Sequence, residues 1–196
     1  AVDVGEWVID TALSQIEQWK AVGLDLAISV NVSARQLQQG NFLECLQLTL
    51  TKHPEVDPGH LEIEMLETSA LADMAQMSHL IDDCAKIGVH FALDDFGTGY
   101  SSLTYLKRIH VAVLKIDQSF VRDMLEDPDD LAILKAVIGL ASAFKHQVIA
   151  EGVETVAHGT ALLQLGCEFA QGYGIARPMP ADQLPGWAST WLPDAA

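Results

Sequence analysis

Positive charge is scarce in this sequence. Lys and Arg number 11 among 196 residues, against 27 Asp and Glu, and the formal net charge is −16. Such a chain repels nucleic-acid polymers and anionic membrane surfaces. It accepts a phosphate-bearing ligand only where something local reverses the sign, as bound divalent cations do. Cysteine is also scarce. Cys45, Cys84 and Cys167 lie far apart and form no Cys-x-x-Cys pair. That argues against a disulfide framework and points to three reduced thiols in a cytosolic protein. No apolar run reaches membrane-spanning length before a charged or polar residue breaks it. Residues 1–7 lack the basic-then-apolar order of a signal peptide. There is no Gly-x-Ser-x-Gly elbow and no P-loop. The seven histidines are scattered without metal-ligand spacing, which speaks against zinc.

What is present is a globular composition, 49% hydrophobic, long enough for one domain with a sizeable core. The period of the apolar residues alternates regularly. It predicts helices near 6–22, 41–52, 70–87, 102–108, 118–144 (interrupted at Asp127-Pro128), 155–165 and 181–192. Trp7, Val8, Ala12, Ile16 and Trp19 are expected on one side of the first helix. Strands are predicted at 26–32, 61–66, 91–94, 111–116, 147–150 and 169–173. Repeated βα units imply a parallel sheet. A doubly wound sheet and a (β/α)8 TIM-type barrel both fit. A barrel has eight strands and typically about 250 residues, so about six strands here imply a barrel incomplete at its N-terminus. No linker or low-complexity run divides the chain, and residues 1–196 are expected to form a single domain.

The polar residues recur at one place in each unit. Asn31, Glu64, Asp94-Asp95, Lys115, Glu151 and Gln171 each fall late in, or just after, an apolar strand. Singly, each has another explanation, such as a turn amide, a solvated edge strand or a helix-start carboxylate. As a set, six coincident strand ends favour a shared site, because the carboxyl ends of barrel strands converge on one face. The adjacent carboxylates Asp94 and Asp95 are the sharpest signal. They repel each other and gain nothing from packing, whereas hard divalent cations favour oxygen ligands. The glycines of Gly97-Thr-Gly99 then make a flexible loop directly after them.

Seven segments carry a resemblance. They are Ser29-Val-Asn-Val-Ser-Ala-Arg-Gln36, Leu61-Glu-Ile-Glu-Met-Leu-Glu67, Leu93-Asp-Asp-Phe-Gly-Thr-Gly-Tyr-Ser-Ser-Leu103, Leu114-Lys-Ile-Asp117, Ser119-Phe-Val121, Ala150-Glu-Gly-Val-Glu-Thr155, and Gln171-Gly-Tyr173 with Arg177-Pro178. In these the chain resembles the EAL domain family of bacterial cyclic-di-GMP phosphodiesterases. The resemblance implies a (β/α)8-type barrel binding two Mg²⁺ or Mn²⁺ ions, with cyclic-di-GMP as substrate. Asn31, Glu64, Asp94, Asp95 and Glu151 match metal ligands. Lys115, Glu151 and Gln171 match the catalytic cluster. Glu67, Gly97, Thr98 and Gly99 match the device that steadies the loop after the paired aspartates. Asn31, Asp95, Gly152, Gln171 and Pro178 match substrate contacts. The resemblance also implies a homodimer through the region following Asp95, a cytoplasmic bacterial location, and membership of a larger sensory or membrane-anchored protein.

One departure stands out. The Glu-Ala-Leu motif that names the family, whose glutamate is a metal ligand, does not occur in these 196 residues. The expected reaction is two-metal hydrolysis of a phosphodiester, giving linear pGpG. Lys115 and Glu151 both stand as groups that orient or deprotonate the attacking water. The alternative is a catalytically impaired domain acting as a cyclic-di-GMP receptor or protein-interaction module.

Overall fold

A computed structural model describes residues 4–68, 73–98 and 103–191. The helices are α1 Val4–Ala21, α2 Ala34–Leu37, α3 Phe42–Lys52, α4 Met74–Lys86, α5 Leu103–Arg108, α6 Gln118–Arg122, α7 Pro128–Phe144, α8 Val156–Gln164 and α9 Leu184–Thr190. The strands are β1 Ile28–Asn31, β2 Leu61–Leu66, β3 His90–Phe96, β4 Val113–Ile116, β5 Gln147–Ala150 and β6 Phe169–Ala170. Residues 70–72, 102 and 192 of the expected helices lie outside the described residues.

The strands follow one another in chain order, β1 to β6, within one sheet. The β1–β2, β4–β5 and β5–β6 pairs are parallel. Sequential parallel neighbours are the order of a TIM-type barrel; a doubly wound sheet reverses direction part-way. The fold is thus the expected barrel type, with six strands present.

By internal contacts the chain divides into two compact units. The first is Ala1–Ala92 with Lys107–Val111, and the second is Leu93–Leu106 with Ala112–Ala196. In the first, α1 packs on α3 and β1. Its buried face is Ile9, Ala12, Leu13, Ile16 and Trp19. Trp7, expected on that face, is 59% exposed. At about 100° per residue it stands some 140° around the helix from Ala12, and Ile9 takes the inward position. In the second unit, α7 packs on β4 and β5 through Leu134, Val137, Ile138 and Ala141. Pro128 opens α7, and the Asp127 carboxylate accepts from Asp129 N at 2.8 Å. The cap and the proline explain why the predicted 118–144 helix breaks there.

The fold settles the reactivity of the thiols. Cys84 is fully buried, and burial, aided by the charge of Asp83, pushes its pKa up to about 12. Burial also raises the pKa of Cys167. Cys45 is half-buried. Thiolate is the reactive form, so titration with Ellman's reagent at neutral pH is expected to show one fast thiol, and three after denaturation. Fast reaction of all three in the folded protein contradicts this burial.

Candidate active site

In the first unit, Asn31 and Glu64 are register partners on neighbouring parallel strands, so their side chains leave the same face. Ser29 and Glu62 pair one step earlier on that face, with Ser29 Oγ donating to Glu62 Oε1 at 2.8 Å. Glu64 is 6% exposed and is therefore no part of a solvated edge face. Glu67, placed immediately after β2, is buried as well.

The second unit assembles the rest. Asp94 and Asp95 lie inside β3, which runs two residues beyond the predicted end at Asp94. Lys115 is the third residue of β4, and Glu151 follows β5 directly. The register pairs Lys115 with Ile149, and Glu151, two residues on, returns to the same face. The result is compact. Lys115 Nζ lies 2.7 Å from Glu151 Oε1 and 3.3 Å from Asp94 Oδ1. One carboxylate oxygen from each of Asp94, Asp95 and Glu151 falls within 4.8 Å of the others. Lys115 is only 4% exposed. A buried ammonium between two carboxylates is stable as a set and costly to break.

Asp95 is the strained member. Its φ is +54°, a left-handed conformation that Asp tolerates better than most residues. Thr98 holds this turn, its N and Oγ1 both donating to Asp95 O at 3.4 and 2.9 Å. Gly97 has φ +103°, and a Cβ there would press within 3.0 Å of the Phe120 ring, so only glycine fits. Gly99 lies outside the described residues. Burial raises the pKa of Asp95, and the charge of Asp94 and a hydrogen bond with Asp117 add to the shift, against Lys115. At Asp117 burial acts upward too, but hydrogen bonds from the Ser119 side chain and backbone N–H prevail and lower its pKa.

The sign of the Asp95 shift has a consequence. A carboxyl group whose pKa is raised by folding stabilises the protein below its unfolded pKa and loses that contribution as pH rises. Asp95→Asn is therefore expected to raise the melting temperature by a few degrees at pH 7 in EDTA. The gain disappears toward pH 4, and added Mn²⁺ no longer stabilises the variant as it does the wild type. A melting temperature in EDTA equal to wild type at both pH values contradicts the assignment.

The donor set fits a hard divalent cation. It is all oxygen and strongly acidic. Asp94 Oδ1 is buried and accepts no hydrogen bond among the described residues, although Lys115 Nζ lies within ion-pair range.

Beside the cluster is a cleft of about 510 Å³, lined by Glu151, Gly152, Gln171 and Pro178, all expected, together with Gln118, Tyr173 and Arg177. Gln171 reaches it through backbone pairing: its N–H donates to Ala150 O at 2.8 Å, and its carbonyl accepts from Val153 N at 3.0 Å. Gly172 makes the approach possible, because a Cβ there would sit 2.2 Å from Val153 O.

The family model for the EAL domain matches residues 1–178. This chain belongs to the EAL domain family. It is 40% identical over 184 residues to the bifunctional diguanylate cyclase/cyclic di-GMP phosphodiesterase MucR of Pseudomonas aeruginosa, covering 93% of this chain and 27% of that protein. The EAL chain thus spans about a quarter of the length of that curated relative. The solved structure of the PaMucR phosphodiesterase in complex with c-di-GMP superposes with a TM-score of 0.87 at 40% identity, over 92% of this chain and 73% of that one. The EAL domain of Mycobacterium smegmatis DcpA gives 0.90 at 36% identity, over 97% and 86%.

Four EAL-domain residues at the site carried no assigned role in the sequence. Asp117 reaches Asp95, and Gln118, Tyr173 and Arg177 line the cleft. For Asp117 the signal was its place two residues after Lys115, beyond the same strand end.

Proposed function

We propose that this EAL domain hydrolyses cyclic-di-GMP to linear pGpG. The observation that carries this reading is the oxygen cluster of Asp94, Asp95 and Glu151 around the buried ammonium of Lys115. The relatives named as cyclic di-GMP phosphodiesterases support it. The proposal treats residues 1–196 as one cytoplasmic domain, and no described helix is long and apolar enough to cross a membrane.

In this reading Asp94, Asp95 and Glu151 hold Mg²⁺ or Mn²⁺. By family correspondence Asn31 and Glu64 are further ligands. Divalent ions held there would supply Lewis-acid stabilisation of the phosphodiester and an acidified water. The chain's own groups do the rest. Lys115, as an ammonium, keeps the Asp94 and Glu151 carboxylates in place, and Glu151 takes the proton of the water. The water oxygen bonds to phosphorus, the P–O3′ bond breaks, and the departing oxygen takes a proton from solvent while Glu151 returns its own to solvent. The cleft beside Gln171 receives the remainder of the nucleotide. Glu67, Gly97 and Thr98 steady the turn that presents Asp95. A homodimer contact through Phe96 to Thr98 and the residues that follow belongs to the same proposal.

The test is chromatography of cyclic-di-GMP after incubation with the full-length protein and Mg²⁺ or Mn²⁺. Conversion to pGpG is expected. Tight retention of the intact nucleotide without conversion favours the receptor reading and refutes hydrolysis.

A further inference from the structure

We infer that Arg177 clamps the second, non-reacting phosphate of the cyclic dinucleotide and so favours ligands carrying two phosphates over those carrying one. The inference rests on the proposed phosphodiesterase reading. It begins with charge. Cyclic-di-GMP carries two phosphodiesters, and the protein bears a net −16. The cations held by the acidic cluster serve the phosphate being cut. The other phosphate enters a cleft whose wall includes Glu151, and Arg177 is the one Lys or Arg among the residues described as lining it.

The geometry prepares Arg177 for that role. Its guanidinium carbon lies 4.6 Å from the centre of the Tyr173 ring. A guanidinium held over a ring by its charge keeps N–H donors for a ligand. Those donors form a planar fork matching two phosphate oxygens. The turn bearing both residues is pinned to the loop after β5. Gly174 N donates to Val153 O at 2.8 Å, and Ile175 N and Ala176 N both donate to Gly172 O at 3.0 and 3.1 Å. The cation is thus positioned before the ligand arrives, which reduces the ordering cost of binding.

The test uses calorimetry on the full-length protein with Ca²⁺ in place of Mg²⁺, and two ligands. Cyclic-di-GMP has two phosphates. GpG has the same two guanines and one phosphate. Arg177→Gln is expected to weaken cyclic-di-GMP binding by roughly 10–100-fold, the worth of hydrogen bonds to a charged group. Binding of GpG, which lacks the second phosphate, is expected to stay unchanged. Arg177→Lys, which keeps the charge but lacks the planar fork, recovers only part of the loss. Equal weakening of both ligands overturns the inference, since it marks base recognition or a displaced loop. Unchanged cyclic-di-GMP affinity in Arg177→Gln overturns it as well. Wild type that binds cyclic-di-GMP but fails to cut it in Mg²⁺ or Mn²⁺ overturns the phosphodiesterase reading, and the Arg177 assignment then stands or falls on the affinities alone.

Discussion

Asp94→Asn is expected to abolish hydrolysis while leaving the fold intact. The substitution keeps the shape of the side chain and removes one charge from the cluster. Losing an outer partner of a metal ligand typically costs about 10–100-fold, so losing a ligand itself is expected to cost more than about 100-fold. Stability responds differently. Lys115 keeps its nearer partner Glu151, 2.7 Å away in the wild type, and of the causes that raise the pKa of Asp95, burial first, the charge of Asp94 is removed. A melting temperature close to wild type, together with turnover reduced more than about 100-fold, is the expected signature. Full activity in Asp94→Asn removes that residue from the site. Lost activity with a large drop in melting temperature assigns it to the fold instead.

Lys115→Met is expected to give the opposite balance, with both stability and activity falling. Methionine fills much the same volume but leaves Asp94 and Glu151 without their cation. Their side chains are only 15% and 16% exposed. Removing one member of a buried ion pair costs about 3–5 kcal/mol, which for a chain of this size is on the order of 10 °C. The loss depends on pH, and the sign follows from the charge left behind. Without the ammonium, two mostly buried negative charges are left facing each other with no cation between them. The penalty is then greatest at neutral pH and shrinks as acid protonates them. Mn²⁺ is expected to shrink it too, by replacing the missing positive charge. Melts between pH 8 and pH 4, with and without Mn²⁺, check this. A loss independent of both pH and cation means that Lys115 acts through packing alone.

The strand ends were legible because a polar residue closing an apolar run needs a reason, and six such ends coincided. Asp94 and Asp95 stood out because no packing argument favours adjacent carboxylates. Other features depend on folded contacts. Asp117 is an ordinary helix cap in the sequence, with Ser119 two residues on, and its reach to Asp95 follows only from β4 lying beside β3. Arg177 and Tyr173 are four residues apart in a loop, and their stacking depends on Gly172 settling against Val153. The last strand was expected over 169–173, yet only Phe169 and Ala170 join the ladder. Beyond them the backbone leaves β5 to follow its loop, and Gln171 is held by single hydrogen bonds. Short α2 escaped notice because four residues carry no period. Its cap, Ser33 accepting from Gln36 N, was the available signal.

The central claim is that Asp94, Asp95 and Glu151 form a divalent-cation site that powers hydrolysis. The most direct measurement is calorimetric titration of Mn²⁺ into the EDTA-treated, desalted protein, compared with Asp94→Asn and Glu151→Gln. Saturable binding is predicted in the wild type, at least about tenfold weaker in each variant, over the same Mn²⁺ range that restores cyclic-di-GMP hydrolysis. Binding of equal strength in all three proteins, or hydrolysis that persists in EDTA, would contradict the account.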